Sequence, residues 1–191
     1  SNANGFVNGY EYVGGFIGLA IGTSVDNSYA SGDTFTNNGY IGGFVGGSYC
    51  GSSFDDTYAS GAVTSGGGYV GGFAGDDGCE QGPGTTYTDS HAAGDVEGYS
   101  NVGGFLGRAY SSTLDRVYAN GDVEAATWVV GGLIGNSVGF NGIPTEVRQS
   151  YAIGDVTAGL FNAGGLVGTT EDDGNYFSDV YARGSVKGVG Y

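Results

Sequence analysis

Val13-Gly14-Gly15-Phe16-Ile17-Gly18 is the first of six copies of one block: an apolar residue, Gly-Gly, Phe or Leu, an apolar residue, then Gly. The later copies begin at Ile41, Val70, Val102, Val130 and Ala163. Each block is followed by an aromatic-Ala-x-Gly unit, and these units begin at Tyr29, Tyr58, His91, Tyr118, Tyr151 and Tyr181. A period of 28 to 33 residues is typical of stacked supersecondary units, none of which buries its apolar face alone. The sequence therefore predicts a repeat protein.

The spacing within the repeats separates a fixed segment from a variable one. From the aromatic residue to the next Gly-Gly the spacing is 12 or 13 residues, whereas from Gly-Gly to the aromatic residue it ranges from 15 to 20. The two longest variable segments contain both prolines, Pro83 and Pro144, and proline is excluded from strand interiors. We therefore expect packing to fix the first segment and the variable segments to form loops along one edge of the stack.

The repeat length selects the fold class. Gly and β-branched residues dominate and no stretch sustains a 3.6-residue period, which disfavours helices. Each repeat offers about three short strands, enough for one coil of a parallel β-helix. A propeller blade would need four strands and roughly 40 residues or more. We predict an all-β parallel β-helix, or β-solenoid, of about six coils, right-handed because parallel crossovers have that hand in about 98% of cases.

Equivalent positions of successive coils should stack about 4.8 Å apart. The columns that begin with Val13, Phe16 and Ala30 should fill the interior. The orientation of the Gly-Gly strand leaves two alternatives, because strict alternation places Val13 and Ile17 inside and Phe16 outside, whereas a bulge at Gly14-Gly15 turns Phe16 inward. We favour the bulge.

The chain is interpreted as one domain. Ser1-Asn2-Ala3 looks like the scar of a cleaved expression tag, and residues 4–191 form a single solenoid with repeats that start near residues 12, 40, 69, 101, 129 and 162. Residues 188–191 read like the start of a seventh copy, so we expect a fragment of a longer array. No apolar run approaches the roughly 18 residues of a spanning helix.

The charge balance restricts the class of partner. The chain has 20 acidic residues and 5 basic ones, a net charge of −15, and residues 1–107 contain no Lys or Arg. Such a surface repels phosphate backbones and anionic lipids, so we expect neither nucleic-acid binding nor membrane insertion. Divalent cations and basic partners remain candidate ligands. The charge also favours a soluble monomer, because it opposes end-to-end aggregation.

The block Val-Gly-Gly-Phe-x-Gly, followed by Ser-Tyr-Ala-x-Gly-Asp-Val, resembles the GLUG motif. All six copies match, from about residue 10 to residue 187, with mild departures at Ala62, His91, Ala163 and Ser185. The family occurs in large bacterial surface proteins, among them filamentous-haemagglutinin-like adhesins and the non-catalytic parts of immunoglobulin A peptidases. The resemblance implies a non-catalytic stalk or adhesive module at the cell surface or outside the cell, whose partner would be a host surface glycan or protein. It implies no catalytic residues.

The residues themselves also predict no enzyme activity. The single histidine, His91, occupies the aromatic column, where stacking accounts for it better than catalysis. The sequence contains no zinc-site, nucleophile-elbow or phosphate-loop motif. Because many β-helical proteins cut polysaccharides, the alternative function is a carbohydrate-binding or carbohydrate-active β-helix. Trp128, Tyr40 and Tyr69 are its candidate ligand-binding residues, since they lie near the start of the Gly-Gly strand and are candidates for exposure.

Carboxylates supply the candidate metal ligands. Asp95, Asp122 and Asp155 share one column in consecutive coils, where hydrogen bonds from backbone N–H groups or solvation would relieve the repulsion. The alternative calcium ligands are Asp76, Asp77, Asp172 and Asp173, because several carboxylates on Gly-containing loops suit a hard cation. No other cofactor is expected.

Cys50 and Cys79 should form a disulfide. Each lies eight residues after the first glycine of its own pair, Gly42 and Gly71, so both occupy the same position on adjacent coils. That register places their Cα atoms about 5 Å apart, within disulfide range. A disulfide would agree with an oxidising, extracytoplasmic location.

Overall fold

The computed structural model describes residues 1–79, 82, 84–172 and 174–188. Within these ranges the chain forms strands and no helix, and all strand pairs within the four sheets are parallel. The result is a β-solenoid of about six turns. The prediction of a parallel β-helix with one coil per repeat is confirmed.

Each coil passes in order through four sheets, named A to D here, whose strands are counted among the described residues. Sheet A has seven strands: Val7–Gly9, Thr34–Thr36, Val63–Ser65, Val96–Gly98, Val123–Ala125, Val156–Ala158 and Val186–Gly188. Sheet B has six: Tyr12–Gly14, Tyr40–Gly42, Gly68–Gly71, Ser100–Gly103, Val129–Gly131 and Asn162–Gly164. Sheet C has six: Ile17–Ile21, Val45–Tyr49, Ala74–Asp77, Leu106–Tyr110, Ile134–Gly139 and Val167–Asp172.

Sheet D has eleven strands among the described residues, because most coils cross it with two. They are Asn2–Ala3, Ser24–Ala30, Ser53–Ala59, Thr86–Thr88, His91–Ala92, Thr113–Asp115, Tyr118–Ala119, Glu146–Arg148, Tyr151–Ala152, Tyr176–Ser178 and Tyr181–Ala182. We number the coils 1 to 6 by their sheet A strands, so that coil 1 begins at Val7 and coil 6 at Val156. The strand Val186–Gly188 continues sheet A beyond coil 6.

The register follows the repeat columns. Ile41 pairs with Val13 on one side and with Val70 on the other, and Val70 pairs with Val102. Phe44, Phe73 and Phe105 stack with ring centroids 4.8 Å apart in each pair. Identical positions of successive repeats therefore contact one another, as the period predicted.

The Gly-Gly block is a corner and not a bulge within one strand. In coil 2 the sheet B strand ends at Gly42, Gly43 and Phe44 form a bend, and the sheet C strand begins at Val45. Because of this bend, Ile41 in sheet B, Phe44 at the corner and Val45 in sheet C all point into the interior and are buried. The expected inward direction of the Phe column is confirmed, but the bulge and the estimate of three strands per repeat are wrong, because the block divides into two strands of two sheets.

Close approach of the coils explains the second glycine of each pair. A Cβ atom on Gly43 would lie 2.3 Å from the carbonyl oxygen of Gly72 in the next coil. Real Cβ atoms do not approach a backbone oxygen so closely, and the glycines allow the corners to stack.

Two apolar clusters fill the interior. The larger lies between sheets C and D and contains the Phe column and the buried alanines that follow the aromatic column; its largest side chains include Phe44, Phe54, Phe73 and Tyr87. The smaller lies between sheets A and B and is made chiefly of the valines that face one another there. Phe16 and Leu166, in coils 1 and 6, are only partly buried because each has a coil on one side.

The aspartate column links adjacent coils by hydrogen bonds. Oδ1 of Asp95 accepts a hydrogen bond from the backbone N–H of Asp122 at 2.9 Å, and Oδ1 of Asp122 accepts one from Asp155 at 2.8 Å. Asp155 in turn accepts from the N–H of Ser185 at 2.7 Å. Hydrogen bonding to backbone N–H groups, one of the two ways we expected these like charges to be relieved, is confirmed.

The connections from sheet C to sheet D vary in length and lie along one edge of the stack, as expected. The longest fully described connection joins Gly139 to Glu146 and contains Pro144 and an antiparallel bridge between Phe140 and Ile143. Pro83, in the corresponding loop of coil 3, lies outside the described residues.

Candidate binding site

An ion pair on sheet C forms the centre of the candidate site. Asp76 and Arg108 are register partners on neighbouring strands. Nε of Arg108 donates to Oδ1 of Asp76 at 2.6 Å, and Nη2 donates to Oδ2 at 2.9 Å. The hydroxyl of Tyr49 donates to the same Oδ2 at 2.8 Å. The Asp76 side chain is 1% exposed and that of Arg108 28%, so the carboxylate is buried and part of the guanidinium faces solvent.

Burial and charge determine the protonation of this group. Burial raises the pKa of Asp76, and the hydrogen bonds and charge of Arg108 oppose that rise. Burial also raises the pKa of Tyr49, and the neighbouring Asp76 carboxylate adds to the effect. Burial, followed by the charge of Asp76, raises the pKa of Tyr40. Both hydroxyls therefore keep their protons at neutral pH, and each is able to donate a hydrogen bond.

A column of stacked rings supports the guanidinium. Tyr12 stacks on Tyr40 with centroids 4.9 Å apart, and Tyr40 stacks on Tyr69 at 5.4 Å. The Cζ atom of Arg108 lies 4.7 Å from the centroid of the Tyr69 ring, which is cation–π distance. Both faces of Tyr40 and of Tyr69 are thereby covered, and these tyrosines present their edges and hydroxyls.

The ion pair opens into a concavity of about 200 Å³. Its lining consists of Tyr40, Tyr49, Asp76, Gly78, Cys79, Arg108 and Tyr110. A second concavity of about 370 Å³ is lined by Tyr10, Glu11, Asn38, Gly39, Tyr40, Gly68 and Tyr69. Tyr40 belongs to both, so the two form neighbouring parts of one surface.

A disulfide borders the concavity. Cys50 and Cys79 are bonded, with Cα atoms 4.9 Å apart, which confirms the prediction from their equal offsets. The bond joins the C-to-D corners of coils 2 and 3, and Cys79 contributes to the wall beside Tyr49.

A family model described as the GLUG motif matches residues 9–36, which run from the end of sheet A in coil 1 to the end of sheet A in coil 2. The first repeat of the chain is therefore similar to the GLUG motif. The five later Gly-Gly blocks stack on the block of this repeat in register, as the strand pairs show. Searches of curated proteins and of solved structures found no match. Among the described residues, no helix is long and apolar enough to cross a membrane.

The predicted calcium ligands occupy separate parts of the protein. Asp76 is engaged with Arg108, and Asp77 is buried, where it accepts hydrogen bonds from the Tyr110 N–H at 2.6 Å and the Ser112 hydroxyl at 2.8 Å. Asp172 is exposed in coil 6, and Asp173 lies outside the described residues. In the described part of the chain no group of three His, Cys, Asp or Glu side chains could hold a metal ion. Calcium binding stays a prediction.

The predicted aromatic ligand residues separate into two places. Tyr40 and Tyr69 are half-buried in the candidate site. Trp128 is 53% exposed and stacks on Phe161 with centroids 4.6 Å apart, at the corner between sheets A and B in coils 5 and 6. The structure does not bring Trp128 to the other two.

The aromatic column on sheet D is a stacked ladder. His91 lies between Tyr58 and Tyr118, with centroid distances of 4.9 and 4.5 Å. Burial lowers the pKa of His91, and the charge of Asp56 opposes this. The stacking predicted for His91 is confirmed.

Arg108 is the residue that the sequence analysis missed. It lies five residues after Gly103, and Asp76 lies five residues after Gly71. Equal offsets from the first glycine place two residues side by side on adjacent coils, which is the argument that identified the disulfide. The same comparison applied to charged residues would have found this pair.

Proposed function

We propose that this protein is a non-catalytic, extracytoplasmic scaffold module of a larger surface or secreted protein, with a stalk or adhesive role. The observation that carries the proposal is the disulfide between coils 2 and 3. Disulfides persist in oxidising compartments and are rare in reducing ones. A rigid stack of repeats with an acidic, self-repelling surface suits a monomeric spacer that presents side chains to a host glycan or protein and does not bind nucleic acid or insert into membranes.

The position of His91 supports the non-catalytic part of the proposal. A general base must reach the proton that it removes. Tyr58 and Tyr118 cover the two faces of the imidazole, so the side chain is a stacked member of the aromatic ladder. We expect no hydrolysis of polysaccharides or peptides.

The location is tested by thiol titration of the protein recovered from its producing cells, under denaturing and non-reducing conditions. No reactive thiol per chain supports the proposal, and two reactive thiols contradict it. Surface labelling of intact producing cells, with a cytoplasmic protein as the control, gives an independent readout of exposure.

A carbohydrate-active β-helix is the second candidate, and the Asp76–Arg108 pair in a concavity favours it. A carboxylate that protonates or attacks a sugar must touch it. Asp76 is 1% exposed and already accepts three hydrogen bonds, which favours binding without cleavage. A reducing-end assay on neutral and acidic polysaccharides separates the candidates, and release that is lost in Asp76→Asn would establish the enzyme.

A further inference from the structure

We propose that the concavity beside Arg108 binds one residue of a neutral oligosaccharide, whose next residue lies across Tyr40 in the neighbouring concavity. Arg108 Nη1 and the Tyr40 hydroxyl are the donors to the sugar oxygens. This inference deepens the adhesive part of the proposed function and rests on it.

The Arg108 side chain is held in place before any ligand arrives. Asp76 accepts from Nε and Nη2, which leaves Nη1 without a hydrogen bond to a described residue. The Tyr69 ring supports the guanidinium on one side, with its centroid 4.7 Å from Cζ. A planar donor group already held in its binding orientation loses little conformational entropy when it accepts a partner. The free edge of Arg108 is therefore a preorganised donor of two N–H groups.

The charge of the site selects an uncharged ligand. Asp76 neutralises Arg108, and residues 1–107, which supply most of the lining, contain no Lys or Arg. An anionic sugar would approach a protein of net charge −15 without a net positive group to receive it. A cationic ligand would be repelled by Arg108, and the Asp76 carboxylate is buried and already accepts three hydrogen bonds.

The shape of the site fits a small polar ring. The concavity of about 200 Å³ has room for several waters, which suits one sugar residue and not a whole oligosaccharide. The larger concavity on the other side of Tyr40 has room for the next residue. Since the faces of Tyr40 and Tyr69 are covered, the sugar binds edge-on to hydroxyls and N–H groups. Such binding lacks ring stacking, and we expect dissociation constants near the millimolar range.

Calorimetric titration of the intact, oxidised protein tests the proposal. The neutral probes are the tetrasaccharides of maltose, mannose, xylose and N-acetylglucosamine, and the acidic probes are tetragalacturonate and sialyllactose. The test variants are Tyr40→Phe, which removes one hydroxyl and keeps the stack, and Arg108→Lys, which keeps the charge opposite Asp76 and removes Nη1. Tyr118→Phe and Arg116→Lys are matched controls on sheet D, where Arg116 pairs with Asp89 at the surface.

At least one neutral probe should bind, and each test variant should raise its dissociation constant about five- to tenfold, the effect of one lost hydrogen bond. The control variants should bind like the wild type, and all variants should melt cooperatively. Failure of every neutral probe at millimolar concentration, binding of acidic probes alone, or binding that survives both test variants would overturn the proposal. Such a failure leaves the scaffold proposal standing, whereas reactive thiols in the protein recovered from its producing cells contradict the scaffold's location and do not bear on sugar binding.

Discussion

Replacement of Asp77 by Asn should stabilise the protein above neutral pH and not in acid. Asp77 is fully buried, and its Oδ2 has no hydrogen-bond partner among the described residues. Burial, with a smaller contribution from the charge of Asp76, raises the pKa of Asp77 from 3.8 to about 7. The Tyr110 N–H and the Ser112 hydroxyl oppose the rise by donating to Oδ1.

The sign and size of the effect follow from this shift. Because the pKa of Asp77 is higher in the folded state than in the unfolded state, the folded state holds the proton between these two values. The stability from Asp77 is complete below about pH 4 and is lost as the pH rises through about 7. A shift of about three units corresponds to about 4 kcal/mol. Asn cannot ionise, but its buried NH₂ costs about 1 kcal/mol at every pH. The variant should be less stable by about 1 kcal/mol near pH 4 and more stable by about 2–3 kcal/mol near pH 8.

Urea unfolding followed by circular dichroism from about pH 4 to about pH 8 measures this difference, with the disulfide intact. Comparison with the wild type cancels the general repulsion among the other carboxylates. Asp89→Asn is the matched control, since a hydrogen bond from Arg116 lowers the pKa of this exposed carboxyl and its small contribution should have the opposite sign. A variant-minus-wild-type difference that is flat across the pH range would refute the reasoning.

Three further perturbations test the stacking of the coils. The double variant Cys50→Ala/Cys79→Ala should lose about 3–4 kcal/mol of unfolding free energy by the loop-entropy model, measured by urea unfolding. The reduced wild type should be as stable as the variant, and a variant as stable as the oxidised wild type would contradict the prediction. Phe73→Ala should cost about 3–5 kcal/mol because the side chain is fully buried in the ring column, and a loss below about 1 kcal/mol would show that the core refills. Gly72→Ala would place a Cβ atom 2.1 Å from the carbonyl oxygen of the next coil and should prevent cooperative unfolding in calorimetry, whereas Gly188→Ala, with nothing within 4 Å, should melt like the wild type.

Column positions were predictable because the spacing of the Gly-Gly blocks assigns each residue a place in the coil. That assignment placed Cys50 beside Cys79, Phe44 beside Phe73, and His91 in the aromatic ladder. Each of these contacts requires only that like positions stack at the strand spacing. The right-handed sense of the coil stays a prediction from the general preference of parallel crossovers.

The corner within the Gly-Gly block was not predictable from periodicity. A bulge and a bend both turn Phe44 inward, and the choice depends on whether the strands on either side join one sheet or two. That choice is made by contacts between coils, such as the approach of Gly43 to the carbonyl of Gly72. The candidate site depends on side-chain directions of the same kind, since Tyr49 reaches Asp76 from the neighbouring coil. The distance of a residue from its Gly-Gly pair predicts which residue lies beside it on the next coil, but it does not predict which side chains contact each other.

The disulfide between neighbouring coils has a mechanical consequence. Under a pulling force along the stack, each coil is retained by its neighbours, so coils should detach one after another from the ends. The segment between Cys50 and Cys79, 29 residues in sequence separation, cannot lengthen while the bond is intact. The disulfide therefore shortens the fully stretched chain by roughly 100 Å of contour length. The oxidised protein would therefore become taut sooner under load than the reduced one, and the covalent link would carry the strain.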